Sequence, residues 1–249
     1  MSKTIIAFLK YRDFEWTGKK DLFRGDTLWV GYDAIKIYGD IEPVWDEVKV
    51  IEFLEEKLYE ESIKQLKLQE EKLEDYKLLL VDHLPQKMIN SINETFENSP
   101  KHSQDDISRA SSEEFGSRMD NPDLTEQLLS KDKTQPIVVL NFYKFRDIAA
   151  YPDNYTKRKI TGQIAYNRYT RVVQKFFPIF GVKIIVAGEF ISSILGDIES
   201  DWDSYAFVRY PSLEVLERMT NSKIYQKAFI HREAALENPV VYISSTIKD

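Results

Sequence analysis

The chain has 249 residues, a formal net charge of −7 and no cysteine, and 43% of its residues are hydrophobic. The lack of cysteine excludes disulfides, thiolate metal sites and a cysteine nucleophile, and the acidic balance argues against a nucleic-acid partner because phosphate binding needs a basic face. No apolar run approaches the roughly 20 residues that cross a bilayer, and the apolar stretch after Met1 is too short for a secretion signal, so we expect a cytoplasmic protein without a membrane partner.

The first third of the sequence predicts four strands and one long charged helix. Short runs rich in β-branched and aromatic residues predict strands over 4–11, 28–38, 47–53 and 76–83. The segment 54–75 is rich in Glu and Lys and predicts a helix with charge pairs along a solvated face. The stretch 14–23 contains Gly18 and no apolar stripe, so no proper helix is expected between the first two strands.

The central segment 85–135 is polar and predicts a connection between two folded parts. Short helices are expected at 86–96 and 123–130, on either side of a Ser-, Asp- and Glu-rich stretch at 99–118 that predicts a mobile loop. Structureless segments of this length are uncommon inside compact domains, so we interpret 85–135 as a partly helical linker.

The last part of the sequence predicts the element order β-α-β-β-α-β. Strands are predicted over 137–145, 182–195, 204–210 and 240–246, with a bulge or kink at Gly188. A stripe of apolar residues predicts a helix over 161–180 that ends at Gly181, and a second helical region starts after Ser212 and is interrupted at Asn221. This order is that of the split ferredoxin-like unit.

Two short patterns occur twice and indicate a duplication. Gly39-Asp-Ile-Glu-Pro-Val-Trp-Asp46 recurs as Gly196-Asp-Ile-Glu-Ser-Asp-Trp-Asp203, with six identities at an offset of 157. Lys10-Tyr-Arg-Asp13 recurs as Lys144-Phe-Arg-Asp147 at an offset of 134. The 23-residue difference between the offsets is about the size of one helix with its connections, so the first copy is expected to lack a helix.

A series of landmarks keeps its order through the second copy. They are Leu140-Asn-Phe-Tyr-Lys-Phe145, Tyr151-Pro152, Thr161-Gly162, Ala165-Tyr166, Tyr169, Gly188, Trp202-Asp203, Val208-Arg-Tyr-Pro-Ser212, Met219, Tyr225, His231-Arg232 and Ala235-Leu236. With these residues the segment 136–246 resembles an uncharacterised bacterial family of domains of unknown function within the dimeric α/β-barrel superfamily. The resemblance implies a four-stranded sheet with two helices on one face, whose bare face pairs with a second sheet to close a barrel. Superfamily relatives include cofactor-free monooxygenases, haem-degrading enzymes, lactone isomerases and polyketide cyclases, while the family itself has no settled activity.

The first copy departs from this pattern, with Glu52-Phe-Leu-Glu55 where the second has Arg209-Tyr-Pro-Ser212. It keeps the strands and the Trp-Asp landmark, so we expect it to supply the partner sheet within the same chain. The predicted fold is an α+β tandem of ferredoxin-like βαββαβ units that forms an intramolecular dimeric α/β-barrel-type pseudo-dimer. Its predicted parts are a degenerate repeat over 1–84, the linker over 85–135 and an intact repeat over 136–249. A monomeric pseudo-dimer and a homodimer both remain open.

The candidate site residues all lie in the second repeat. A histidine side chain ordinarily titrates near neutral pH, and Tyr166 lies at the edge of the apolar stripe, so His231 and Tyr166 are predicted as catalytic. Asn141 either satisfies a backbone group or faces a cavity and binds ligand. The other ligand-binding candidates, for which packing or ion pairs are the alternatives, are Tyr169, Arg209, Tyr210, Trp202, Tyr225 and Arg232. No metal site is predicted.

The predicted function is binding of an unknown small organic ligand in one pocket of the second repeat, with no cofactor. Whether the protein is also a cofactor-independent enzyme of the monooxygenase, isomerase or cyclase type stays open. The alternative is a non-catalytic interaction or structural protein built on a degenerate barrel. A filled, solvent-excluded pocket would favour ligand binding, and a cleft plugged by Tyr and Phe side chains would favour the alternative.

Overall fold

The computed structural model describes residues 2–12, 22–38, 44–103, 108, 132–153, 155, 158–196 and 202–246. The helix predicted over 123–130, most of the loop predicted over 99–118 and nearly all of the stretch 14–23 lie outside the described residues. The boundaries of the two repeats and of the linker stay predictions.

The strands of the described residues close into an eight-stranded antiparallel barrel in the order β1-β3-β2-β8-β5-β7-β6-β4. Their bounds are β1 (Lys3–Tyr11), β2 (Asp26–Tyr38), β3 (Trp45–Phe53), β4 (Leu73–His83), β5 (Ile137–Tyr143), β6 (Lys183–Leu195), β7 (Ser204–Tyr210) and β8 (Val240–Ser245). Side chains alternate along each strand, so Ile6 and Phe8 of β1 face the barrel interior while Ile5 and Leu9 face outwards. Both faces of β1 are buried, which explains its nearly continuous apolar sequence.

Helices cover the outside of the barrel. Their bounds are α1 (Glu56–Leu68), α2 (Gln86–Glu97), α3 (Gly162–Val173), α4 (Phe177–Phe180), α5 (Leu213–Thr220) and α6 (Lys223–Ala235), with 3₁₀ turns at Glu70–Lys72 and Gln174–Phe176. The hydroxyls of Ser212 and Ser222 accept backbone hydrogen bonds at the starts of α5 and α6, and Gly181 ends α4 with a φ of 67°. Within the described parts of the chain, no helix is long and apolar enough to cross a membrane.

The strand order divides the barrel into two groups with the same internal arrangement. The first group reads β4-β1-β3-β2 and the second reads β8-β5-β7-β6, so each places its own strands in the order fourth, first, third, second. The groups join at two seams, between β2 and β8 and between β4 and β6. At each seam the second strand of one group pairs with the fourth strand of the other, so the two seams are equivalent.

The pairing register repeats the two offsets found in the sequence. Leu9 pairs with Glu47 between β1 and β3. The residues that lie 134 and 157 positions later, Tyr143 and Ser204, pair with each other between β5 and β7. The two echoes in the sequence therefore mark structurally equivalent positions.

The aspartate of the Trp-Asp pattern makes the same contact in both halves. The backbone N–H of Tyr11, at the end of β1, donates to Asp46 Oδ2 at 2.7 Å. The backbone N–H of Phe145, just after β5, donates to Asp203 Oδ2 at 2.6 Å. Each carboxylate thus ties the end of the first strand of its group to the start of the third.

The barrel interior is filled by large side chains. The ring of Trp45 packs on Phe8 with centroids 5.7 Å apart, and the equivalent Trp202 packs on Phe142 at 4.7 Å. Tyr242 of β8 contacts Phe8 from the other group at 5.0 Å. The interior is a shared hydrophobic core and not a channel.

Each outer layer extends across a seam onto the other half. The helices α3 to α6 pack on the second group and also on Ile37 and Tyr38 at the end of β2. The helix α1 packs on the first group and also on Ile194 and Leu195 at the end of β6, 157 positions later. The helix layer of the second half is therefore built partly on the first half.

The predicted strands are confirmed to within three residues at either end. For the helix predicted over 54–75, the predicted C-terminal end is wrong, because α1 stops at Leu68 and β4 already starts at Leu73. Leu73 is 3% exposed and pairs with Tyr11 of β1. Long-range strand pairing thus overrides the local helix propensity of the charged run.

Gly188 lies at the seam between β4 and β6, where a side chain has no room. The irregular register of β6 against β7 lies between Ile184 and Val186, so Gly188 itself is not the bulge. A Cβ atom added at Gly188 would collide with the carbonyl oxygen of Asp82 on β4. The absence of a side chain therefore allows the two halves to approach at this seam.

We expect Gly188→Ala to lower the free energy of unfolding by about 2–3 kcal/mol, because the seam must open to admit the methyl group. The control is Gly181→Ala, which has ordinary contact distances and should lose about 1 kcal/mol through its left-handed φ. Urea unfolding of both variants measures the difference. Equal losses at the two positions would contradict a tightly closed seam.

Candidate functional site

A buried arginine lies in the layer between the helices and the sheet of the second half. Arg232, on α6, is only 7% exposed. The ring centroids of Tyr38, at the end of β2, and of Phe229, also on α6, each lie 5.5 Å from its guanidinium carbon. The two rings contact the cation through their faces, and such cation–π contacts use none of its N–H donors.

The guanidinium of Arg232 has no counter-ion within the part of the chain that the structure describes. It forms no ion pair and no side-chain hydrogen bond with a described residue. Burial alone lowers the pKa of Arg232, but the surrounding hydroxyls of Tyr169, Tyr225 and Tyr166 together raise it above the ordinary value. The side chain is therefore a retained cation in a largely apolar layer.

Tyrosine side chains from two helices and two strands enclose this arginine. The hydroxyl oxygens of Tyr169 on α3 and Tyr225 on α6 are 2.8 Å apart and share a hydrogen bond. Tyr166 on α3 packs against Tyr143 on β5, and their ring centroids are 5.0 Å apart. Tyr210 on β7 is 6% exposed and completes the sheet side of the group. We call these five tyrosines and Arg232 the arginine cluster.

Four phenols of the arginine cluster, those of Tyr143, Tyr166, Tyr169 and Tyr210, have raised pKa values and stay protonated at neutral pH. Burial raises the pKa of Tyr143 to about 12, although the neighbouring Tyr166 hydroxyl and the nearby Arg232 act in the opposite direction. Burial likewise raises the pKa of Tyr166, Tyr169 and Tyr210. These four tyrosines therefore present hydroxyl donors beside the one cation of the cluster.

His231 makes its hydrogen bonds outside the arginine cluster. Its Nδ1 atom lies 2.6 Å from the hydroxyl of Tyr151, and its Nε2 atom lies 3.4 Å from the hydroxyl of Tyr155. The rings of these two tyrosines stack with centroids 4.7 Å apart. The two residues predicted as catalytic are thus not joined, since His231 bonds to these tyrosines and not to Tyr166.

Asn141 faces the helix layer but bonds to the backbone. Its Nδ2 atom donates to the carbonyl oxygens of Val139 and Ala206, both at 3.2 Å. Of the two arrangements expected for this buried amide, this is the one in which it satisfies backbone groups.

Two other candidates lie on the opposite face of the sheet. Trp202 is 8% exposed and packs on Phe142 in the barrel interior. Arg209 is exposed and adjacent to Tyr210 on β7, so the two side chains point to opposite faces. The structure therefore brings together Tyr166, Tyr169, Tyr210, Tyr225 and Arg232, and their roles stay predictions.

Comparison with known proteins finds a family match in the second half. A domain family of unknown function, DUF1330, matches residues 155–246. The chain covers 93% of the methylated RPA0582 protein with 51% of its own length, at 30% identity and a TM-score of 0.46. The match to DUF1330 covers 92 of the 249 residues. A second crystal structure is of RPA0582, a protein of unknown function from Rhodopseudomonas palustris. It is 29% identical, the match covers 52% of this chain and 95% of that one, and the TM-score is 0.46.

The other comparisons add nothing on activity. An anthrone oxidase-like protein covers 99% of this chain and 91% of its own at 10% identity, with a TM-score of 0.47. Similarity this distant carries no information about substrate. None of the curated proteins matches the sequence.

The DUF1330 match contains the arginine cluster except for Tyr143, and Tyr38 also lies outside residues 155–246. Neither of these tyrosines nor Phe229 was predicted as a site residue from the sequence. Tyr143 could have been predicted, because it lies two residues after Asn141 and must share its face of β5. No local pattern predicts Tyr38, because it reaches Arg232 only across the seam between β2 and β8.

We expect His231 to destabilise the protein in acid. Burial and then the nearby Arg168 lower its pKa below the ordinary 6.5, so the unfolded chain binds this proton first as the pH falls. The free energy of unfolding should be independent of this group above about pH 7 and should decrease below about pH 6.5. His231→Gln should remove that part of the decrease, as measured by urea unfolding between pH 8 and pH 5. A histidine pKa at or above 6.5 by NMR titration would contradict this assignment.

Proposed function

We propose that the protein binds a small organic anion of the carboxylate type at Arg232, within its DUF1330 unit. The observation that carries the proposal is the buried guanidinium without a counter-ion among the described residues. The ligand would lie between α3, α6 and the sheet, where the phenols of the arginine cluster donate further hydrogen bonds.

The physical argument rests on the desolvation of a charge. Moving an ammonium- or guanidinium-like cation out of water costs several kcal/mol even after relaxation, unless a partner offsets it. Arg232 lies in the last turn of α6, where the helix carbonyls carry a partial negative charge, and the rings of Tyr38 and Phe229 add cation–π attraction. These contacts offset part of the cost but leave the N–H donors unused, and a carboxylate would satisfy them.

The donor geometry favours a planar anion. A guanidinium directs its N–H groups outwards in its own plane, which matches the two oxygens of a carboxylate. The cluster is lined by aromatic rings, which favour a flat apolar body on the ligand. An aromatic carboxylic acid combines both features.

The geometry supports binding more strongly than a chemical step. His231, the predicted proton carrier, already hydrogen-bonds to Tyr151 and Tyr155. The phenols of Tyr143 and Tyr166 have raised pKa values, so neither is a base at neutral pH. We therefore propose a binding protein, and we assign no reaction to the site.

A second candidate function is a structural or interaction role without a ligand. The ring of Tyr166 lies with its centroid 5.0 Å from Tyr143, 5.4 Å from Phe145 and 5.6 Å from Tyr169. Such a filled aromatic layer is also what a protein would use to hold helices on a sheet. Binding measurements on an Arg232 variant separate the two candidates.

We expect wild-type protein to bind benzoate or salicylate more tightly than the neutral benzamide. Arg232→Met should weaken carboxylate binding by at least about tenfold, because a charge-assisted hydrogen bond is lost. Without ligand, the same variant should change the free energy of unfolding by less than about 1 kcal/mol, because an apolar side chain of similar length replaces an unpaired charge. Calorimetric titration and urea unfolding measure the two effects. The control is Arg209→Met, an exposed arginine of the same unit.

Two outcomes would count against the proposal. The first is that none of the carboxylates binds the wild-type protein better than benzamide. The second is that Arg232→Met binds them unchanged while its free energy of unfolding falls by about 3 kcal/mol or more, which is the result expected for a purely structural arginine.

We also propose that the barrel is an intramolecular pseudo-dimer of two ferredoxin-like units, produced by duplication. Its support is the common strand order, the register that repeats both sequence offsets, and the equivalent contacts of Asp46 and Asp203. The first half then takes the place of a second subunit.

We expect Asp46→Ala and Asp203→Ala to lower the free energy of unfolding by similar amounts, about 1–3 kcal/mol each, because each leaves one backbone N–H unsatisfied. The exposed Asp153 provides the control, for which alanine should change stability little. Urea unfolding measures the losses, and light scattering should show a monomer. A large loss in one half with none in the other would contradict equivalent roles.

A further inference from the structure

An open cleft in the second half lies outside the arginine cluster. Its volume is about 490 Å³, and it lies between the segment after β5, the start of α3 and the strands β6 and β7. Among the residues that line it are Phe145, Arg146, Asp147, Glu189, Asp203 and Ser204. Nothing in the proposed carboxylate site accounts for this cleft.

Arg146 is held in a fixed position on the cleft wall. Its backbone N–H donates to the carbonyl oxygen of Ala235 at 2.9 Å, and its carbonyl oxygen accepts from the N–H of Gly162 at 2.8 Å. Gly162 is required there, because a Cβ atom would collide with the backbone of both Arg146 and Ala235. Yet the Nε atom of Arg146 is buried and has no hydrogen-bond acceptor.

The cleft also holds carboxylates that do not pair with this arginine. Asp203 is occupied, since its two oxygens accept from the backbone of Phe145 and from Lys144. Asp147 and Glu189 are exposed in the cleft and form no ion pair with Arg146 or with any other described residue. The fold therefore keeps charges of both signs apart around one space, without ion pairs among the described residues.

In the first half a buried glutamate occupies the position equivalent to Ser204. The two offsets relate Phe145, Glu189 and Ser204 to Tyr11, Tyr32 and Glu47, and the strand pairing follows the same correspondence. Glu47 is fully buried there, with its Oε2 atom 2.9 Å from the hydroxyl of Tyr11. A serine in place of this glutamate leaves the corresponding space of the second half open.

We propose that this cleft is a second binding site, for a small zwitterion such as a free α-amino acid. The carboxylate of the ligand bonds to Arg146, and its ammonium group lies between Asp147 and Glu189. Unpaired charges of opposite sign that face one cavity are complementary to a ligand that carries both charges. The site is independent of Arg232.

The experiment measures binding of L-alanine, L-leucine and L-phenylalanine by NMR titration of the full chain. We expect the amino acid that binds best to bind at least about tenfold more tightly than its amide, which lacks the anion, and its N-acetyl derivative, which lacks the cation. Ser204→Glu, which introduces the carboxylate of the first half, should abolish binding. Glu189→Gln, a substitution at an exposed position, should weaken it by about threefold or more without unfolding the chain.

The controls are Glu74→Gln, at an exposed position on β4, and Arg232→Met, both of which should bind the amino acid unchanged. Loss of amino-acid binding in Arg232→Met would overturn the separation of the two sites. The proposal fails if no amino acid perturbs the resonances of Arg146 or Glu189. It also fails if the amide and the N-acetyl derivative bind as well as the zwitterion, or if a folded Ser204→Glu variant keeps full affinity.

Discussion

Each group of four strands carries one apolar face that its own helices leave uncovered, and closure of the barrel buries both of these faces at once. Phe142 from the second group is completely buried in this interior, and Phe8 from the first contacts Tyr242 across it. Burial of apolar surface contributes about 25 cal/mol per Å², so two separated groups would forfeit a large stabilisation. Glycines stand at both seams, Gly31 beside β8 and Gly188 beside β4, 157 positions apart, and they permit the close approach.

Closure has a consequence for the site, because the helix layers cross the seams. The second strand of the first half, β2, runs beside β8 and under the helices of the second half. Its last residue, Tyr38, therefore lies against Arg232. The first half is thus more than a partner sheet, since it supplies an aromatic contact to the one buried cation of the arginine cluster. A second unit expressed alone would lack that contact.

The sequence predicted the elements wherever local pattern and long-range pairing agree. The strand β7 was predicted to the residue, because its β-branched and aromatic run is bounded by Asp203 and Pro211. The segment 54–75 was predicted too long as a helix, because its charges favour a helix locally while β1 recruits Leu73 into a strand. In the site, the apolar stripe of the predicted helix indicated Tyr169. It could not indicate Tyr38, whose contact with Arg232 depends on a seam between distant parts of the chain.

The two halves keep their backbone contacts and differ in the side chains around them, and these differences are coupled. The buried Glu47 is stabilised by the Tyr11 hydroxyl and by Lys49, whose Nζ atom lies 3.2 Å away. The equivalent positions of the second half hold Ser204, Phe145 and Ala206, which could not pair a buried carboxylate. Without a buried carboxylate, the second half needs neither a hydroxyl nor a cation to pair with it. Its smaller or apolar side chains at these positions leave space. One strand framework can in this way enclose a paired charge in one half and an open polar cleft in the other.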